Sequence, residues 1–213
     1  MYQKLCFKRN LIMKANYDLI SQQWAEIRKE LPTPDKVLFN EFIHCLPLNA
    51  RLLDLGCGTG VPIDQLMLKH GYQVLGVDCS EKLLEVARDL LPEAHFVQAE
   101  LETYDIESSY QGIIMWDCLF HIPREHHEPI LSKVYRALEM GGVAIISSGG
   151  SEQNIPAFTG TMFDVEFYYD AYPVDDLVNL CKKIGFSILK QKLVNKPDGI
   201  RDKGRLGLLL IKE

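Results

Sequence analysis

A chain of 213 residues, 47% hydrophobic and 24% charged, has the length and composition of one globular α/β domain (1–213) with a sizeable core. Its formal net charge of −6 disfavours a nucleic-acid partner, which needs a basic face, and no apolar run approaches the roughly 18 residues of a membrane helix. The basic start Met1–Asn10 leads into no apolar signal core, and the six cysteines form no Cys-x-x-Cys pair, so a cytoplasmic protein with a tail at 1–14 is expected.

In chain order, Leu19, Ile20, Trp24 and Ile27 recur at helical spacing and predict an amphipathic helix over 15–30, ended by Pro32 and Pro34. A second helix is expected over Asp35 to Cys45, so 15–48 forms an N-terminal helical region. Next, Leu52-Leu53-Asp54-Leu55 runs into Gly56-Cys57-Gly58-Thr59-Gly60. An apolar run closed by alternate glycines reads as a buried parallel strand, a tight turn and the start of a helix near 61–68. The unpaired N–H groups at such a start face a ligand. The following strand, Gln73 to Asp78, ends in an acid able to accept hydrogen bonds from both hydroxyls of a ribose. This is a nucleoside-binding β-α-β unit. Val61 stands where a dinucleotide loop would have its third glycine, and no Gly-Lys-Ser/Thr of a P-loop follows. The stretch Leu53 to Gly60, with Asp78 beyond it, resembles motif I of the class I S-adenosylmethionine-dependent methyltransferases.

Downstream, Ser80 can cap a helix over Glu81 to Leu90, and strands are expected at His95 to Glu100 and Gly112 to Asp117. A long helix from Arg124 to Met140 is expected to stop at Gly141-Gly142, before a fifth strand at Val143 to Ser147. The aromatic, aperiodic segment 149–172 reads as a lid or substrate loop. A helix over Pro173 to Ile184 then leads to two strands, Phe186 to Val194 and Gly207 to Lys212, joined as a hairpin through Pro197-Asp198-Gly199. The alternation predicts a mostly parallel sheet with helices on both faces. The resemblance implies more: an α/β, Rossmann-like seven-stranded mixed sheet of order 3-2-1-4-5-7-6, with strand 7 antiparallel.

Ligands in such sheets sit beyond the carboxyl ends of the strands. There the resemblance implies S-adenosyl-L-methionine, its methionine part against Asp54, Gly56, Cys57, Gly58 and Gly60, and its ribose on Asp78. Cys79 and Leu83 would wall the adenine, Glu100 and the Leu101 N–H would read its edge, and Trp116 and Tyr17 would close the site. Asp54 reads equally well as a tie for its own loop. Trp24 reads as core. His121, just past strand four, is the candidate acid–base residue, because an imidazole titrates near neutral pH; a histidine paired only with backbone is the competing reading. Phe120, His121, Phe163, Tyr168 and Tyr169 are the candidate substrate contacts, with Met162 and Phe167 as apolar walls. Glu125, His126 and His127 read as a solvated helix start, and no metal is expected. From Ala137 to Cys181 there are seven acids and no Lys or Arg, and an acidic overhang suits an uncharged or cationic acceptor. The expected function is in-line methyl transfer to a small molecule. A non-catalytic S-adenosylmethionine-binding sensor or interaction module is the alternative.

Overall fold

The structure is a computed structural model that describes residues 15–198 and 202–213; the tail expected at 1–14 lies outside the described residues. Its strands are β1 (Arg51–Leu55), β2 (Gln73–Asp78), β3 (His95–Gln98), β4 (Tyr110–Met115), β5 (Leu138–Gly149), β6 (Phe158–Met162), β7 (Val165–Tyr169), β8 (Phe186–Asn195) and β9 (Arg205–Lys212). The helices are α1 (Ser21–Ile27), α2 (Thr33–Cys45), α3 (Ile63–Lys69), α4 (Glu81–Leu90), α5 (His127–Ala137) and α6 (Val174–Ile184). Seven strands form one sheet in the order β3-β2-β1-β4-β5-β9-β8, while β6 and β7 make a separate hairpin. The first five strands are parallel, and β9 runs antiparallel to both β5 and β8. With the extra hairpin set aside, this is the order the resemblance implies. Among the described residues no helix is long and apolar enough to cross a membrane.

Period-two alternation divides the sheet's side chains between two cores. Ile113, Met115, Ala144 and Ile146 face Ile130, Leu131 and Val134 of α5 and Leu177 of α6. Leu52, Ile114, Ile145 and Leu209 face Leu38, Phe39 and Phe42 of α2 and Met67 of α3. Each such fully buried side chain contributes about 1.5–3 kcal/mol relative to exposure. The rigid sheet fixes where the carboxyl ends of β1, β2 and β4 point, and hence where the site lies.

Four local expectations are corrected. The helix expected over 15–30 is a single 3-10 turn at Tyr17–Leu19 followed by the short α1, and Leu19 and Ile27 are each 60% exposed. The segment rests on loops of the site, with Ile20 buried, rather than on a long apolar stripe. The helix expected to run to Met140 ends at Ala137, because Leu138 is buried and pairs with Tyr110 as the first residue of β5. The Gly141-Gly142 pair therefore lies within β5, where the register shifts between Tyr110 and Gly112, and is not a helix stop. The lid segment holds the β6–β7 hairpin, turned by Phe163 and Asp164, both with positive φ. Finally, His127 is buried rather than solvated: Nε2 donates to the Ile122 carbonyl at 2.8 Å, and the ring packs on Tyr172.

Candidate functional site

The first turn of the loop after β1 is possible only without side chains. Gly56 has φ +80°, and a Cβ there would fall 2.4 Å from Cys118 Cβ. The N–H groups of Gly56 and Cys57 both donate to the Val77 carbonyl, at 2.7 and 3.1 Å, which fastens the loop to β2. Asp78 completes the fastening. Its Oδ2 accepts from the Gly58 N–H and its Oδ1 from the Ser80 N–H, both at 2.8 Å. Burial raises the Asp78 pKa, and these hydrogen bonds oppose the rise.

Above this floor opens a cleft of about 950 Å³, its mouth included. It is lined by Tyr17, Gly56, Cys57, Gly58, Asp78, Cys79, Leu83, Glu100, Leu101, Trp116 and His121, eleven residues that the sequence points to. Trp24, read from sequence as core, lines it as well, so its exposed face meets the cleft. Arg28 is a lining residue that sequence reasoning missed, and Asp117 and Cys118, which follow the fourth strand and were given no role, line the cleft too. Burial pushes the thiols of Cys57 and Cys118 well above their ordinary pKa, which keeps them protonated and non-nucleophilic.

One side of the cleft is aromatic and carries a fixed tautomer. His121 Nδ1 lies 2.9 Å from the Tyr168 carbonyl, which can only accept, so Nδ1 bears the proton. Nε2 is then the acceptor, and it takes the Tyr17 hydroxyl at 3.0 Å. Burial pushes the His121 pKa down to about 4, against the Tyr168 hydrogen bond and the Asp117 charge, so the ring is neutral at physiological pH. Tyr17 itself packs edge-on against Trp24, His121 and Phe167. Beside these rings stands a charge network. Asp117, with φ +59°, accepts from Arg28 and Arg205 at 2.7 Å each and from Ser147 Oγ at 3.0 Å. Arg205 also grips Asp35, whose Oδ2 takes the Trp116 indole N–H at 3.0 Å.

Asp54 and Gly60 lie under the loop, outside the cleft lining. Asp54 instead neighbours Asp64 of α3, and both carboxyls are buried. With both groups ionised, neither Asp64 oxygen has a donor. A retained proton resolves the conflict: desolvation and the Asp54 charge push the Asp64 pKa well up, so Asp64 donates to Asp54. Asp54 thus faces Asp64 of α3 and not the cleft.

The candidate substrate residues are spread more widely. Phe120 and Tyr169 line a second chamber behind His121, and Tyr168 is buried, its hydroxyl on Asp170 at 3.2 Å. Phe163, 41% exposed at the hairpin tip, reaches neither cavity, Met162 pairs with Val165 beside it, and Phe167 is fully buried. Three of the seven acids between Ala137 and Cys181 have partners of their own, and Asp170 lines the second chamber. Glu139 bonds Gln111, Glu166 bonds Thr159 and Asp170 is paired with Arg124, so these acids are scattered and engaged.

Residues 52–142 match a family model described as a methyltransferase domain. A trans-aconitate 2-methyltransferase of Paracidovorax citrulli is 30% identical over 117 residues, covering 54% of this chain and 45% of that protein. The chain spans less than half the length of the first curated relatives it matches. A TehB-like methyltransferase structure from Corynebacterium glutamicum superposes with a TM-score of 0.66 at 20% identity, covering 92% of this chain and 96% of that one. The 1,6-didemethyltoxoflavin-N1-methyltransferase of Burkholderia thailandensis, solved with its substrate and S-adenosylhomocysteine, superposes with a TM-score of 0.65 at 20% identity, covering 84% of this chain and 77% of that one.

Proposed function

We propose that this chain, a class I S-adenosylmethionine-dependent methyltransferase in fold and in its matched domain, binds S-adenosylmethionine in the cleft above β1 and β2 and methylates a small molecule. The observation that carries the reading is the junction of Gly58 with Asp78, where bare backbone and a carboxylate border the same space. A Cβ on Gly58 would project to 3.7 Å from Trp24 Nε1 and 3.8 Å from Leu83 Cδ1, into room a nucleoside needs. Asp78 keeps lone pairs beyond those used by the loop, enough for ribose hydroxyls. Arg28, whose Nη2 is held by Asp117, lines the cleft and keeps further guanidinium N–H groups for the carboxylate of the methionine part. Glu100 and Leu101 border the far end, where the adenine edge would lie.

When bound, the cofactor supplies a methyl group already activated by its sulfonium charge. What remains for the chain is to align the acceptor and exclude water. Here the pKa of His121 decides its role. With its pKa near 4, His121 is a weak base toward an acceptor that still holds its proton. His121 therefore serves as the hydrogen-bond acceptor that aims the Tyr17 hydroxyl, and the acceptor sheds its proton to water only after methylation has made it strongly acidic. A small acceptor is supported by relatives named for trans-aconitate and for a toxoflavin precursor. The second chamber beside the aromatic wall favours a transferase over a sensor, which needs no acceptor space.

The test is calorimetric. Asp78→Ala is expected to weaken S-adenosylhomocysteine binding at least about tenfold, or ~1.4 kcal/mol, with the far-ultraviolet circular dichroism unchanged. Equal affinity in the variant would remove the reading.

A further inference from the structure

The second chamber, about 1080 Å³ with its mouth, is floored by the carboxyl end of β5 and the start of β9 and roofed by the β6–β7 hairpin. One wall is a pile of three rings. Phe120 and Tyr169 stack with centroids 6.0 Å apart, and Tyr169 and Phe158 with centroids 5.3 Å apart and planes 15° from parallel. His121 touches Phe120 and Tyr169 with centroids 4.8 Å away in each case, and His121 also lines the first cleft. A single layer of rings thus separates the two cavities.

The chamber already holds two of its four charged side chains, Asp170 and Arg205, in ion pairs. Its charged lining residues are Asp170, Asp202, Lys203 and Arg205. Asp170 is held by the backbone N–H and guanidinium of Arg124. Arg205 is held between Asp35 and Asp117, Asp202 takes the Asn195 amide, and Lys203 also has its own interaction. An anion drawn to Arg205 would have to displace its carboxylates, and a cation drawn to Asp170 would have to displace Arg124. Flat apolar faces and neutral polar groups are what remain to be offered.

We infer that this chamber is the acceptor subsite and takes an uncharged, planar aromatic molecule, laid against the ring pile with Tyr169 as the partition before the cofactor cleft. The acceptor assignment rests on the methyl-transfer reading above. Transfer requires the Tyr169 ring to turn out of the partition; an acceptor lone pair then forms the bond to the methyl carbon while the carbon–sulfur bond breaks. The bonding pair stays on sulfur, and the acceptor's proton leaves to water.

Three probes sharing one ring system test the inference on the full chain with S-adenosylhomocysteine present: 1-naphthol, 1-naphthoate and 1-naphthylmethylammonium, with affinities read by ligand-detected NMR. The expected result is 1-naphthol binding at least tenfold tighter than either charged probe. Phe158→Ala, which shortens the pile, and Ala171→Leu, which grows into the chamber, should each weaken 1-naphthol at least fivefold and leave S-adenosylhomocysteine affinity within twofold. A charged probe binding as tightly as 1-naphthol, or both variants binding it like the parent chain, overturns the inference. Should S-adenosylhomocysteine fail to bind while the naphthol preference and its loss in the variants persist, the methyl-transfer reading fails and the chamber's ligand class stands.

Discussion

At the scale of single residues, the buried Asp54–Asp64 pair makes the clearest demand on solution behaviour. An acid whose folded-state pKa is raised holds a proton that the unfolded chain has already released above about pH 4. Folding then takes up a proton, so the pair weakens the fold as pH rises from that point through the elevated pKa of Asp64. Asp64→Asn keeps a donor for Asp54 and removes the Asp64 titration, leaving that of Asp54, which burial raises to about 7. It is expected to flatten the decline and to be the more stable protein at pH 8 by on the order of 1–3 kcal/mol, read from urea midpoints between pH 5 and 9. Identical slopes in the two proteins would mean that no proton is shared. Asp54 also marks a limit of sequence reasoning. Its place at the end of β1 was legible, but whether it faced ligand or loop depended on Asp64, ten residues on, entering the same buried space. Asp78 holds its own loop through Gly58 and Ser80 and still borders the cleft, and that place was legible from the strand that ends in it.

At the scale of elements, legibility followed whether a segment's neighbours were local. β1, β2 and β4 are apolar runs buried on both faces, so their sequences state their surroundings. A glycine with positive φ, by contrast, serves a helix stop and a strand irregularity equally, and Gly141 (φ +78°) was assigned to the wrong one. The β6–β7 hairpin lacked the Asn-Gly signature and turned instead on Phe163-Asp164, so it stayed hidden. Residues 15–28 misled for a third reason: their partners are loops of the site. Asp18 Oδ1 accepts from Ser80 Oγ at 2.6 Å and from the Lys82 N–H at 3.2 Å, Tyr17 meets His121, and Arg28 meets Asp117. A segment held by such contacts opens separately from the core. Arg28→Ala leaves Asp117 its Arg205 and Ser147 partners, so global stability should fall by no more than about 1 kcal/mol. Amide exchange over 15–28 should nevertheless rise severalfold. A large loss of global stability with unchanged exchange there would make the segment part of the core instead.

At the scale of the whole molecule, the sheet order did not come from periodicity, which fixes strands but not their neighbours. It followed from the resemblance, and the antiparallel β9 between β5 and β8 bears it out. The same architecture sets a global prediction. The cleft draws on loops after β1, β2, β3 and β4 together with the N-terminal segment, so a ligand that fills it bridges four neighbouring strands and that segment. A ligand bound only by the folded state stabilises it by RT ln(1 + [L]/Kd), about 2.7 kcal/mol at a hundredfold excess over Kd. For a chain of this length that corresponds to a rise in Tm of roughly 5–10 °C. S-adenosylhomocysteine at such an excess should produce it. NAD at the same concentration should not, because Val61 occupies the loop position where a dinucleotide fingerprint needs its third glycine. A matching rise with NAD would reassign the cleft to a dinucleotide. A rise with neither ligand would leave Gly58 and Asp78 as loop architecture alone.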